Sequence, residues 1–359
     1  MRNVYLFWLL ALPLACPTDA VAQPTKTARP AAASSAAAAT PKEPTGPAYA
    51  AVIKHYGSSE WVKFMEALPA LEKAHPTSPW TLYFQSFVKH MSREDPAGAL
   101  KGYSDVIRLM PDEFGDAYLH RAELLTDKGL DDRAVADMTR AIALASPKVP
   151  AFYYRQRGEY QLRGGHDAEA ITDFKKAIAL DGTDAKSYRG LVNISQKNGT
   201  EAETAALLTT ALAGPQAANA PVRLAYADLL TSTKQWAPAD AEYDRALATT
   251  GFRPDAQDLN NAGVAARNVQ NFAKAETLIE RAIQQNPRDV NLVINRANVA
   301  LDQQQWENVY KWAQAALAVD ANDPMANMMM AVGIMRTTRG EAAAQEYEAK
   351  AKRLEAAGK

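Results

Sequence analysis

The chain has 359 residues, 40 of them Lys or Arg and 41 Asp or Glu, for a formal net charge of −1. So even a balance argues against a general nucleic-acid binder, which shows a basic excess or stripe. A single cysteine, Cys16, rules out an intrachain disulfide framework.

Residues 1–22 have the layout of an export signal. Arg2 is the short basic start, Val4 to Ala15 the apolar stretch, and Ala20-Val21-Ala22 a small-x-small cleavage site before Gln23. The apolar run is short for a bilayer span, and no other segment reaches transmembrane length, so the mature chain is expected to have no integral membrane span. Cleavage after Ala22 sends the protein to the periplasm or the medium without a cysteine. A second reading takes Leu14-Ala15-Cys16 as a bacterial lipoprotein box that makes Cys16 a lipidated first residue and a membrane anchor. Pro13 stands where such boxes usually carry leucine, and the Ala22 site competes; both readings stay open here. Residues 23–44 are mainly Ala, Pro, Thr and Ser. They lack the large apolar side chains needed to order a segment, which makes them a flexible linker.

From residue 45 to about Ala357, alanines paired seven residues apart recur at a spacing near thirty-four. The pairs are Ala134/Ala141, Ala170/Ala177, Ala239/Ala246 and Ala275/Ala282, with Thr204/Ala211 and Val309/Ala316 in the same slots. A fixed period of this size marks stacked units. The segment 151–184 shows what one unit contains. Ala151 to Arg163 is free of proline and rich in helix formers, and Gly164-Gly165 breaks it. Ala170, Ile171, Phe174, Ala177, Ile178 and Leu180 then form one apolar stripe at helical spacing, closed by Asp181-Gly182. Each unit therefore reads helix, turn, helix. Gly158, Ala170 and Ala177 leave room for a neighbouring backbone, and Tyr154, Phe174 and Leu180 are expected to fill the space around them.

In the segment 256–289, Leu259, Gly263, Ala275, Ile279, Ala282 and Pro287 fall at the offsets of Tyr154, Gly158, Ala170, Phe174, Ala177 and Gly182. Trp61, Trp236, Phe272 and Trp306 occupy an aromatic slot three residues before the first small position. This pattern resembles the tetratricopeptide repeat, TPR. The resemblance implies an all-α fold, a right-handed α-α solenoid of about nine TPR-like helix-turn-helix units. The units start near Thr45, Trp80, Gly115, Ala151, Ala185, Ala220, Ala256, Val290 and Pro324. The first departs from the pattern, with Val52 and Phe64 where small residues are expected. In the last, Ala343 or Ala344 could fill the first alanine slot and Lys350 or Ala351 the second. Atypical ends suit units with one face lacking a neighbour, and the charged final helix suits a solvated cap.

No catalytic constellation, cofactor motif or metal-ligand spacing is evident. The five histidines are scattered, and none has a second histidine or a cysteine at ligand spacing. No serine lies in a nucleophile-elbow context. The chain reads as a non-enzymatic scaffold or adaptor whose partner is a protein or extended peptide. In the resembled family the first helix of each unit lines the concave face. Mapped onto this chain, the candidate contacts are Arg155, Glu159 and Arg163 in the fourth unit, and Lys186, Arg189, Asn193 and Lys197 in the fifth. Asn260, Arg267 and Asn268 in the seventh and Asn291 and Asn298 in the eighth complete the set. Arg163, Lys186, Arg189 and Lys197 suggest a locally positive stretch. The family's carboxylate clamp would need Arg189 and Asn193 as its first pair, but Ala225, Gln257 and Asn261 depart from its remaining positions. The mature N-terminus distinguishes the two export readings: intact mass is expected to give a chain beginning at Gln23, whereas a diacylated mass beginning at Cys16 would show lipidation.

Overall fold

The computed structural model describes residues 41–337 and 340–358; the export signal, its cleavage site, Cys16 and most of the linker lie outside them. The described residues form eighteen α-helices and no strand. They divide after Asp181 into two compact units. The first holds four helix pairs: α1 (Pro47–Gly57) with α2 (Trp61–Ala74), α3 (Pro79–Ser92) with α4 (Pro96–Leu109), α5 (Gly115–Thr126) with α6 (Asp131–Ala145), and α7 (Ala151–Arg163) with α8 (Asp167–Leu180). The second holds five. They are α9 (Ala185–Asn198) with α10 (Glu201–Ala213), α11 (Ala220–Ser232) with α12 (Trp236–Leu247), and α13 (Ala256–Asn268) with α14 (Phe272–Gln285). The chain ends with α15 (Val290–Asp302) beside α16 (Trp306–Val319), and α17 (Pro324–Arg336) beside α18 (Glu341–Ala356). The first helix of every repeat begins within two residues of the start read from the sequence.

Small side chains set how closely the paired helices approach. All eight alanines of the four strict pairs are fully buried. A Cβ added to Gly158 would sit 3.0 Å from the Phe174 ring, and one on Gly263 would lie 2.6 Å from Ile279 Cγ1. These glycines are notches that receive the bulky side chain of the partner helix. In the last repeat Ala344 and Ala351 are the buried pair, again seven residues apart, and they are the only fully buried residues of α18. Leu180 corrects the sequence reading: it is 51% exposed rather than packed, because it is the final residue of α8 and lies beyond the turn that meets α7. Tyr154 is half-buried, with the Arg157 guanidinium over its ring, and Tyr153 takes the core position beside it.

The turn inside each repeat places one residue at positive φ. Ser59, Arg93, Gly129, Gly165, Gly199, Lys234, Gln270, Gln304 and Gly340 hold these nine positions. Glycine adopts such angles without a Cβ penalty, which explains the Gly164-Gly165 break; the five non-glycine residues accept the cost. Asp and Asn side chains then cap several helices. Asp255 and Asp258 form a reciprocal capping box at the start of α13, and Asn219, Asp289 and Asp323 accept backbone N–H groups at α11, α15 and α17.

Two arginines paired with buried carboxylates also reach the preceding repeat in the first unit. Arg121 on α5 donates to both carboxylate oxygens of Asp137 on α6 at 2.7 Å, and to Ser104 Oγ on α4 at 3.3 Å. Arg157 on α7 repeats the scheme with Asp173 on α8 at 2.7 and 2.8 Å and Thr139 Oγ1 on α6 at 3.2 Å. Each planar guanidinium thus spans its own repeat and the preceding one, a geometry lysine cannot reproduce. Replacing Ala177 with leucine is expected to overpack the α7–α8 contact and cost about 1–3 kcal/mol in chemical denaturation, while the exposed Lys176→Ala leaves stability nearly unchanged.

Candidate functional site

In the second unit the first helices form a layer of their own. α9 packs on α11, α11 on α13, α13 on α15 and α15 on α17, whereas the second helices pack chiefly against first helices. First helices drawn closer together than second helices make this layer the inner face of the unit. It carries most of the candidate contacts.

Lys186, Asn193, Lys197, Asn268 and Asn291 are exposed, and Asn298 is half-buried. Asn260 is buried, and its Oδ1 accepts a hydrogen bond from Asn295 Nδ2 at 2.8 Å. It ties α13 to α15 instead of facing solvent. Arg267 is held by both oxygens of Asp302 on α15, at 2.6 and 3.0 Å. In the first unit, Arg155 lies 3.8 Å from Glu159 one turn along α7, and Arg163 is exposed at that helix's end.

Arg189 is the most constrained candidate. Its Nη2 lies 2.6 Å from Asp258 Oδ1 on α13, and its Nε 3.9 Å from Asp228 Oδ2 on α11. Asp228 Oδ1 also accepts from Tyr243 Oη at 2.7 Å and from Asn261 Nδ2 at 3.0 Å, and Asn261 Oδ1 accepts from Gln257 Nε2 at 2.6 Å. Three of the slots compared with a carboxylate clamp, Arg189, Gln257 and Asn261, are therefore joined into an internal network across α9, α11 and α13. Of the positive stretch expected here, Arg189 is answered by acids of this same layer, whereas Lys186 and Lys197 are exposed. Sequence reading missed Asp228 and Asp258 because they lie thirty-nine and sixty-nine residues from Arg189, in other repeats.

The histidines that look scattered along the sequence are not all scattered in space. His90 on α3 and His120 and Glu123 on α5 bring their ligating atoms within 4.8 Å of one another. Burial lowers the basicity of His90, and His120 nearby lowers it further. Burial also opposes charge on His120, but its hydrogen bond to Glu123 and the charges of Glu123 and Asp116 prevail and raise its pKa. The available signals were the His-x-x-Glu spacing within one helix and a second histidine about one repeat earlier.

No family model matches the chain, and no curated protein matches it in sequence. Solved structures match it in shape. Yeast Tom70 superposes with a TM-score of 0.54 at 19% identity, covering 86% of this chain and 66% of that one. A chain of the APC/C Cut9–Hcn1 heterotetramer gives 0.53 at 16% identity over 79% of this chain, which spans about half, 48%, of that chain. A tetratricopeptide repeat protein from Parabacteroides merdae gives 0.52 at 12% identity, covering 71% of this chain and 98% of that one. The fold is a TPR-like solenoid.

Burial raises the pKa of Asp258, and Arg189 opposes that rise. In Arg189→Met the carboxylate loses its cation, and destabilisation of about 1–2 kcal/mol is expected at neutral pH, between the exposed-pair and buried-pair limits. A carboxyl whose folded pKa is raised above its unfolded value contributes stability at low pH that is lost as pH rises through the folded value. The deficit of the variant is therefore expected to shrink as pH falls through the carboxylate range, measured by denaturant titration at neutral and acidic pH.

Proposed function

We propose that the protein is a non-enzymatic binding scaffold of the cell envelope, holding a partner protein by an extended segment along the inner layer of the second unit. The observation that carries this reading is the set of amide side chains on three of the first helices: Asn193 on α9, Asn268 on α13, and Asn291 and Asn298 on α15. An amide offers both a donor and an acceptor, the complement of a peptide backbone, whose own N–H and C=O alternate along an extended chain. With Arg189 and Arg267 committed to acids of the same layer, recognition rests on these neutral groups, with exposed Lys186 adding local charge.

Export with cleavage near Ala22 makes the periplasm its compartment. The sequence Leu14-Ala15-Cys16 supports a second reading, a membrane-tethered form lipidated at Cys16 that assists assembly of a pilus, secretion or polysaccharide-export complex. Membrane fractionation separates the two, since a stably tethered form sediments with membranes and a free one does not.

The binding reading is tested by affinity capture from the organism's own envelope, comparing the native chain with a triple Asn193→Ala, Asn268→Ala, Asn298→Ala variant of matched helicity. Loss of about three hydrogen bonds at about 1 kcal/mol each is expected to weaken capture on the order of a hundredfold. Equal recovery by both chains would move the binding surface away from this layer.

A further inference from the structure

We propose that His90, His120 and Glu123 form a binding site for a zinc-class divalent cation in the first unit, pinning α3 to α5 across adjacent repeats. The donor set is two imidazole nitrogens and one carboxylate oxygen. Zinc, cobalt and nickel accept that combination, whereas magnesium and calcium favour oxygen alone.

The spacing fits an ion. Glu123 Oε2 lies 3.1 Å from His120 Nδ1 and 3.8 Å from His90 Nε2. Ligands about 2.0–2.1 Å from a tetrahedral zinc stand about 3.3 Å apart, between these two separations. The 3.8 Å distance is too long for a hydrogen bond, and a shared cation would close that gap.

The groups behind the donors fit as well. Tyr103 Oη lies 3.5 Å from His90 Nδ1, which leaves Nε2 as the nitrogen directed at Glu123. Gln156 Nε2 approaches the other carboxylate oxygen, Glu123 Oε1, at 3.5 Å. Outer partners of this kind fix the tautomer and orientation of metal ligands. The imidazoles are also held by packing: the Tyr103 ring stacks on His120 at 5.7 Å, and Phe87 lies 5.4 Å from it. The side chains of His90, His120 and Glu123 keep 12%, 14% and 31% of their surface accessible, enough for an ion to enter from solvent. Three protein ligands leave a fourth position for water or for a donor from a bound partner.

The test uses the purified full-length chain, stripped with a chelator, and titrates zinc chloride by calorimetry. One equivalent is expected to bind, and cobalt is expected to give the intense visible absorption of a tetrahedral site. His90→Gln, His120→Gln and Glu123→Gln should each abolish that absorption. Tyr103→Phe, which keeps the ring and the fold, should weaken zinc at least about tenfold. Helicity and melting of each variant are followed by circular dichroism, and zinc should raise the melting temperature of the native chain but not of the ligand variants. The proposal is overturned if the native chain binds no zinc, if calcium or magnesium binds as well as zinc, or if the three ligand variants bind as the native chain does. In the first case, His120 and Glu123 form only a charged hydrogen bond.

Discussion

The approach of one helix to its partner at a small residue is the constraint on which the rest of the molecule depends. A helix pair of this length cannot bury an apolar face alone, so each repeat is stable only when its neighbour covers it. Coverage needs close backbones, and these need Ala or Gly at the crossing. The notches at Gly158 and Gly263 admit Phe174 and Ile279, and the buried alanine pairs let the next first helix settle on the groove beside them. With that geometry recurring along the chain, the other side chains can vary widely while the repeat is retained.

What varies is how polar groups are used between repeats. In the first unit, Arg121 and Arg157 each pair with a buried carboxylate of their own repeat and reach a hydroxyl on the second helix of the preceding one. In the second unit Arg296 on α15 reaches Glu276 and Glu280 on α14, and Lys274 on α14 reaches Asp240 on α12. A further linkage runs through the inner layer, where Arg189, Asp228, Asp258 and Asn261 join three first helices. An arginine committed to its own layer is a poor lure for an external carboxylate, since its charge is already neutralised within hydrogen-bond distance. The exposed amides and lysines of that layer, Asn193, Asn268, Asn291, Lys186 and Lys197, are the groups it presents to solvent.

The N-terminal repeats meet the same constraint differently. Val52 and Phe64 fill slots that hold small residues elsewhere, and both are buried. Phe84 meets both Tyr56 and Phe64 edge to face, Phe87 meets Tyr56 in the same way, and Trp61 lies at the margin. Bulky rings replace alanine notches by interlocking with one another. The aromatic cluster extends through Tyr83 and Tyr103 to His120, so the imidazoles of α3 and α5 sit on a rigid apolar wall.

The sequence by itself determined the repeat, its period, the helix starts from Gly115 onward and the alanine slots, because these follow from local helical periodicity and from a pattern that recurs in phase. It also marked the helix faces on which candidate contacts lie. Only the tertiary structure decided which of those side chains are available: Asn260 is buried against Asn295, Arg267 is taken by Asp302, and Arg189 is held by Asp228 and Asp258. It likewise brought His90 to His120 and Glu123. The physical reason is the same in each case. Hydrogen bonds and charge pairs act over about 3–4 Å in space, and stacking brings together residues from different repeats whose sequence separation records only that they share a slot.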